Sequence, residues 1–346
     1  MRHDGQPFRW RGITAFRLLE QITTGKETDV EAYLRWAGRE RLTVVRVLAM
    51  AKHLFELTPE RGRESLDDLL ERAATHNLYV EIVALADTAA YPVSLEAQVR
   101  AIGEIAGRHP NAIVEIANEP YHRTQREEVR NEGRLAELSA LVPEAVPVAV
   151  GAWQEPDAAA AGEFITFHFP RSAREGGWGH VARLTSGHEM LLRYNKPVIN
   201  DEPIGAGAVL QPGRRDDNPD RFRAAALLTR MIGMGGTFHY EGGLQAQIPA
   251  GREMDSFRAW QEAWDHLPDD VETTWEFRSA GDAGAAVERL NGTAAGAWEV
   301  QRGDEAWVLV AGGREHVSLE WAPGWRQVDV ITWAESRLVR AARTRS

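Results

Sequence analysis

Short apolar runs of β type alternate with longer amphipathic stretches through roughly the first 270 residues. Eight runs have strand character: Phe8–Ile13, Thr43–Leu48, Tyr79–Leu85, Ile113–Ala117, Val146–Val150, Phe164–Phe167, Pro197–Ile199 and Gly236–Tyr240. Between them the period changes to that of a helix. Leu66, Leu69, Leu70 and Ala73 follow the i, i+3, i+4, i+7 rule, and Val99, Ile102, Ile105 and Ala106 follow it approximately. Phe222, Ala225, Ala226, Thr229 and Ile232 form another stripe, closed by Gly233, and Phe257, Trp260 and Trp264 mark a last helix before Pro268. Eight strands alternating with helices predict an α/β architecture, the (β/α)8 TIM barrel. A doubly wound sheet would carry a glycine-rich phosphate-binding turn after its first strand. This chain has Thr14-Ala15-Phe16-Arg17 there, and Gly205-Ala206-Gly207 lacks the third glycine. The barrel is therefore expected over residues 1–269.

Beyond about Pro268 the texture changes. Short β-like pieces, Thr274–Phe277, Ala297–Gln301, Ala306–Val310, His316–Trp321 and Gln327–Trp333, are separated by Gly, Asn and Asp turns, with no helical stripe among them. Residues 270–346 are expected to form a small antiparallel β domain of sandwich type.

Composition narrows the chemistry. With 346 residues, 43% of them hydrophobic, the chain can bury one large core and have residues left for a small second domain. The absence of cysteine excludes a disulfide scaffold and any thiolate nucleophile or metal site. A formal net charge of -11 argues against nucleic acid or an anionic membrane as partner. No segment reaches the roughly 18 apolar residues of a membrane span, and none resembles a signal peptide. That leaves a cytoplasmic protein or one whose leader has been cut away. His188-Glu189 lacks the second histidine of a zinc helix, and neither a Gly-x-Ser-x-Gly elbow nor a Walker-type loop occurs. No metal or other cofactor is implied. Twelve tryptophans are many for this length, and aromatic faces stack on sugar rings as well as filling cores.

Two glutamates share one context, an apolar β run followed by polar residues and Glu-Pro. Ala112-Ile113-Val114-Glu115-Ile116-Ala117 leads into Asn118-Glu119-Pro120, and Lys196-Pro197-Val198-Ile199 leads into Asn200-Asp201-Glu202-Pro203. A carboxylate just past a barrel strand lies on the face where barrel enzymes keep their chemistry. Two of them across one mouth are what glycoside hydrolysis requires, roughly 5–5.5 Å apart for retention and 6.5–9.5 Å for inversion. The competing reading is that each caps the helix that follows, a common place for acidic residues. Arg46 sits inside Thr43-Val44-Val45-Arg46-Val47-Leu48, where a guanidinium would be buried and would need a carboxylate. Glu202 is the candidate partner, which would favour its ionised form, and Glu81 is the alternative. Asn118 is either a turn residue or, if the site is a glycosidase's, the donor to a sugar 2-hydroxyl.

The ordered set Trp10-Arg11-Gly12, Val45-Arg46-Val47, Asn118-Glu119-Pro120, His168 and Glu202 resembles clan A of the glycoside hydrolases, the retaining (β/α)8 enzymes that include the family 5 cellulases and mannanases. The resemblance covers about residues 8 to 267. It implies that Glu119 is the general acid/base, that Glu202 is the nucleophile and that His168 lies hydrogen-bonded near it. Tyr240 and Glu241 after strand eight, with Trp153 and Trp178 in loops after strands five and six, are candidate sugar contacts. Two positions depart from the family 5 pattern. Phe238-His239-Tyr240-Glu241-Gly242 stands where a tryptophan is usual, and Asp87 stands near the usual histidine of strand three. The substrate platform therefore differs. The expectation is a retaining O-glycoside hydrolase acting on a carbohydrate. Its alternatives are a catalytically inactive glycan-binding barrel and another barrel hydrolase using the same two glutamates. Sugar, linkage and oligomeric state are left open.

Overall fold

The structure is a computed structural model that describes residues 2–3, 6–151, 161–167, 177–202, 205–206, 218–313 and 317–344. Two of the expected site residues, Trp153 and His168, lie outside the described residues.

Eight parallel strands lie along the main path of the nine-stranded first sheet: β1 (Arg11–Thr14), β2 (Val44–Leu48), β3 (Tyr79–Leu85), β4 (Ala112–Ala117), β5 (Val148–Ala149), β6 (Ile165–Phe167), β7 (Val198–Asn200) and β8 (Gly235–Tyr240). They pair in the order β5-β4-β3-β2-β1-β8-β7-β6, so the last strand returns to the first, as in a barrel. Each expected strand is present, with ends shifted by up to three residues. Between β5 and β6 no ladder forms among the described residues, and Glu163 bridges the seam. Its backbone N–H donates to the Val148 carbonyl at 2.8 Å, and its carboxylate accepts from the Val148 N–H at 2.8 Å. One residue thus satisfies both backbone groups of Val148 where a strand would otherwise do so.

The barrel interior is layered. Trp10, Val44, Ile113, Ala149, Phe164 and Ile199 form one buried apolar cluster, with Phe8 and Tyr79 packed against it. The Trp10 indole donates to Thr237 Oγ1 at 3.2 Å. Gly12 is needed beside this contact, because a Cβ there would lie 2.4 Å from Thr237 Oγ1. Because side chains alternate along a strand, the residue two positions past Val44 points inward again. That residue is Arg46, so an ionic layer follows the apolar one.

Helices follow the strands in the expected rhythm. They are α1 (Leu18–Thr23), α2 (Glu27–Arg39), α3 (Pro59–Glu64), α4 (Leu66–Thr75), α5 (Leu95–Ala106), α6 (Glu132–Ser139), α7 (Trp178–Arg183), α8 (Ser186–Tyr194), α9 (Pro219–Ile232), α10 (Glu241–Leu244), α11 (Arg252–Ala263) and α12 (Val271–Thr274). Leu66, Leu69, Leu70 and Ala73 are all buried, as their spacing predicts, each leucine contributing about 1.5–3 kcal/mol. Ser94 caps α5 by accepting from the Ala97 N–H, and Asn131 caps α6 through Arg134. Gly233 ends α9 at φ +85°, a left-handed cap that suits glycine. None of the described helices is long and apolar enough to cross a membrane.

By internal packing the chain divides into two compact units. The first comprises Met1–Pro170, Met190–Glu202 and Gly235–Pro249, and the second Arg171–Glu189, Pro203–Met234 and Ala250–Ser346. The second unit contains β9 (Glu276–Ser279), β10 (Val287–Asn291), β11 (Gly296–Arg302), β12 (Glu305–Ala311), β13 (Ser318–Trp321), β14 (Trp325–Thr332) and β15 (Ser336–Arg343). Five of them make an antiparallel sheet in the order β9-β11-β12-β15-β14, and β10 pairs with β13. Strands β10 and β15 are additions to the expected set. In the same unit α9 packs on α11. The fully buried Arg230 of α9 donates to the carbonyls of Leu267 at 3.1 Å and Pro268 at 2.8 Å and pairs with Glu272 at 2.7 Å, so it ties down the chain after α11.

Candidate active site

Strand alternation brings a guanidinium and several carboxylates into one buried layer of the barrel. Arg46 is completely buried. Its Nε donates to Glu115 Oε2 at 2.9 Å and its NH2 to Glu115 Oε1 at 3.1 Å, a two-pronged pairing across to β4. NH1 donates to Glu202 Oε1 at 2.9 Å, and NH2 also reaches Asn118 Oδ1 at 3.0 Å and Asp201 Oδ2 at 3.0 Å. Glu81 Oε2 lies 3.7 Å from Nε. The Phe16 ring lies under the guanidinium, 5.3 Å from its carbon. The partners weighed from sequence, Glu202 and Glu81, are thus not exclusive, and the two-pronged contact is to a third, Glu115.

One cation facing four buried carboxylates leaves negative charge in excess, which a desolvated site does not tolerate with every group ionised. Burial opposes the charge on Arg46, but Asp201, Glu115, Glu81 and Glu202 together push its pKa well above the usual guanidinium range. Glu81 yields instead. Burial first, and then the neighbouring Glu115, push its carboxyl well above the usual carboxylate range, against the pull of Arg46. Neither Glu81 oxygen has a hydrogen-bond partner among the described residues. Single oxygens of Glu81, Glu115 and Asp201 lie within 4.8 Å of one another, a donor set a cation could use, but the Arg46 guanidinium already supplies the positive charge there.

Glu202, just past β7 and 4% exposed, has its oxygens in different surroundings. Oε1 accepts from Arg46, while Oε2 lies 3.6 Å from His239 Nε2. The other ring nitrogen of His239 shares a 2.9 Å hydrogen bond with Thr14 Oγ1.

Glu119, just past β4, is half-buried and has a φ of +42°, an unusual backbone for a side-chain-bearing residue. Strain of this kind costs about 1–3 kcal/mol and persists where the surroundings hold it. Gln125 is part of what holds it. Its amide nitrogen donates to the Asn118 carbonyl at 2.5 Å and to the Leu85 carbonyl at 3.2 Å, and its Oε1 accepts from Thr88 Oγ1 at 2.8 Å. The Asn118 N–H donates to Leu85 O at 2.9 Å. Tyr121 donates from its hydroxyl to Glu119 Oε1 at 3.1 Å.

Tyr240 is fully buried, its hydroxyl bonded to the Tyr33 hydroxyl at 3.0 Å and to the Gln247 carbonyl, so it offers no face to a sugar. The reason is the pleat: Tyr240 and His239 point to opposite sides of β8, and His239 is the one that reaches the carboxylates. Glu241 starts α10 and is half-buried. Asp87 is a loop anchor. Burial disfavours its charge, yet the N–H groups of His53 at 3.0 Å and Lys52 at 2.8 Å hold it below the usual carboxylate range. Trp178 belongs to the second unit, where its indole donates to Glu335 at 2.8 Å and packs on Gly312, a position at which a Cβ would lie 2.7 Å from the indole ring. Sequence reading missed Glu115, Asp201, Tyr121, Gln125 and His239. For Glu115 a signal existed, a charge inside an apolar strand, the same signal that marked Arg46.

No protein-family model matches the chain, and no curated protein does. Solved structures do. A glycoside hydrolase family 5 protein from Bacteroides vulgatus aligns with a TM-score of 0.61 at 14% identity, over 99% of this chain and 91% of that one. The fold is that of family 5 glycoside hydrolases. An endo-β-1,4-mannanase from Thermotoga petrophila aligns with a TM-score of 0.55 at 12% identity, over 97% of this chain and 92% of that one. A GH5_18 variant from Bifidobacterium longum, in complex with Manβ1-4GlcNAc, aligns with a TM-score of 0.53 at 12% identity, over 75% of this chain and 80% of that one.

Proposed function

We propose that the protein is a retaining O-glycoside hydrolase. The observation that carries this reading is that one buried guanidinium holds both Glu202, after β7, and Asn118, the residue before Glu119, after β4. In the first step a Glu202 oxygen attacks the anomeric carbon as the glycosidic C–O bond breaks, and Glu119 passes its proton to the departing oxygen. In the second, Glu119, now a carboxylate, takes a proton from water. The water oxygen bonds to the anomeric carbon, and the ester to Glu202 breaks. Arg46 favours the anionic form of Glu202 that attack requires. Because Asn118 Oδ1 faces Arg46, its amide nitrogen is the end free to donate to a substrate hydroxyl.

The substrate is proposed from the neighbours alone: a β-mannoside, with 1,4-linked mannosyl compounds as the first panel. Incubation with activated 2-fluoro glycosides, followed by intact mass and peptide mapping, tests the mechanism. A covalent adduct on Glu202 is the expected result. Saturable sugar binding with neither adduct nor turnover would overturn it in favour of an inactive glycan-binding barrel.

A further inference from the structure

Glu119 is followed by a tight turn. The His122 N–H donates to the Glu119 carbonyl at 2.8 Å, and Pro120 occupies the second position, where its fixed φ is favourable. The turn brings the Tyr121 hydroxyl over the Glu119 carboxyl, 3.1 Å from Oε1. The next turn, closed by the Gln125 N–H on the His122 carbonyl at 3.0 Å, is anchored to the ends of β3 and β4 by the Gln125 side chain.

We propose that Tyr121 is a positioning residue that makes Glu119 a better acid by donating a hydrogen bond to its carboxyl. The proposal rests on the assignment of Glu119 as acid/base. As the acid, Glu119 carries the proton that the leaving group takes. During cleavage that proton moves to the leaving oxygen, and Glu119 changes from a neutral acid to a carboxylate. A hydrogen bond to the charged acceptor is the stronger one, so the phenol bond tightens as the proton departs. The same bond makes Glu119 a weaker base in the second step, so its benefit falls on the first.

The test is Tyr121→Phe, which keeps the ring, compared with wild type on aryl glycosides of graded leaving-group ability. The expected result is a loss on the order of tenfold in kcat/KM for poor leaving groups, little change for good ones, and a basic limb of the pH profile moved upward by about one pH unit. Incorporation of 3-fluorotyrosine at position 121, a more acidic phenol, should move that limb the other way and confirm that the hydroxyl is responsible. An equal loss on every substrate with an unmoved limb would overturn the proposal and leave Tyr121 a packing residue. Glu119→Gln, measured in parallel, separates the two claims. If it leaves leaving-group dependence untouched, the acid/base assignment itself fails. If it steepens that dependence and Tyr121→Phe does not, only the role of Tyr121 fails.

Discussion

The two glutamates stand in near-identical sequence contexts, yet their surroundings are opposite in kind. Glu202 is almost fully buried with a guanidinium on one oxygen, whereas Glu119 is half-buried with a neutral phenol on one oxygen. In the proposed mechanism, a full positive charge favours the carboxylate that attacks. A neutral donor leaves the other carboxyl able to hold and release a proton. The difference teaches that a matched motif sets position only. The proposed roles follow from what the neighbouring strands deliver: Arg46 from β2, and after β4 a turn closed by the His122 N–H that carries Tyr121.

The largest effect should come from removing the two groups in turn. Glu202→Ala is expected to lower turnover of every substrate on the order of 10^4-fold or more. Glu119→Ala should cost roughly 10^2–10^4-fold on poor leaving groups while sparing the first step on good ones, where a burst followed by a stall marks the trapped intermediate. Equal losses from the two variants on all substrates would erase the contrast between them.

Arg46→Met tests the source of the asymmetry. It leaves Glu115, Asp201 and Glu202 without their buried counter-charge, and a loss of about 3–5 kcal/mol is expected in denaturant unfolding at neutral pH. A loss below about 1 kcal/mol would mean that the carboxylates do not depend on it.

A smaller effect belongs to Glu81. Its carboxyl is pushed upward in the folded state, so the folded protein holds a proton that the unfolded chain has lost. The associated stability is fully present below the ordinary carboxylate range and is lost as pH rises toward the raised value, by about 1.4 kcal/mol per pH unit for one proton. Glu81→Gln should flatten that decline, as read by unfolding midpoints over a pH series. An unchanged slope would show that Glu81 is ionised in both states.

Much of the fold was legible because its signals are local. Strand and helix periods register burial on one face, so the eight β runs and the stripes of α4, α5 and α9 were readable without contacts. Strand β15 was not. Its sequence Ser-Arg-Leu-Val-Arg-Ala-Ala-Arg reads as polar, yet it lies inside the five-stranded sheet with Leu338, Val339 and Ala341 buried and Arg340 paired with Glu305 at 2.7 Å. Tyr240 illustrates the same limit at the site. A shift of one residue along β8 exchanges a buried tyrosine for the histidine that faces the carboxylates.

The sequence by itself determined the eight barrel strands, that Glu119 and Glu202 follow two of them, and that Arg46 is a charge inside an apolar run in need of a partner. Those are properties of a few neighbouring residues. Only the tertiary structure decided that the partner is a set of carboxylates that includes Glu115 and Asp201, that Glu81 is the acid pushed toward protonation, and that Tyr121 rather than Tyr240 meets a catalytic candidate. Such choices depend on distances between groups as far apart in the chain as Arg46 and Glu202, and on charge balance in a space without water. Neither quantity is written in any local stretch of residues.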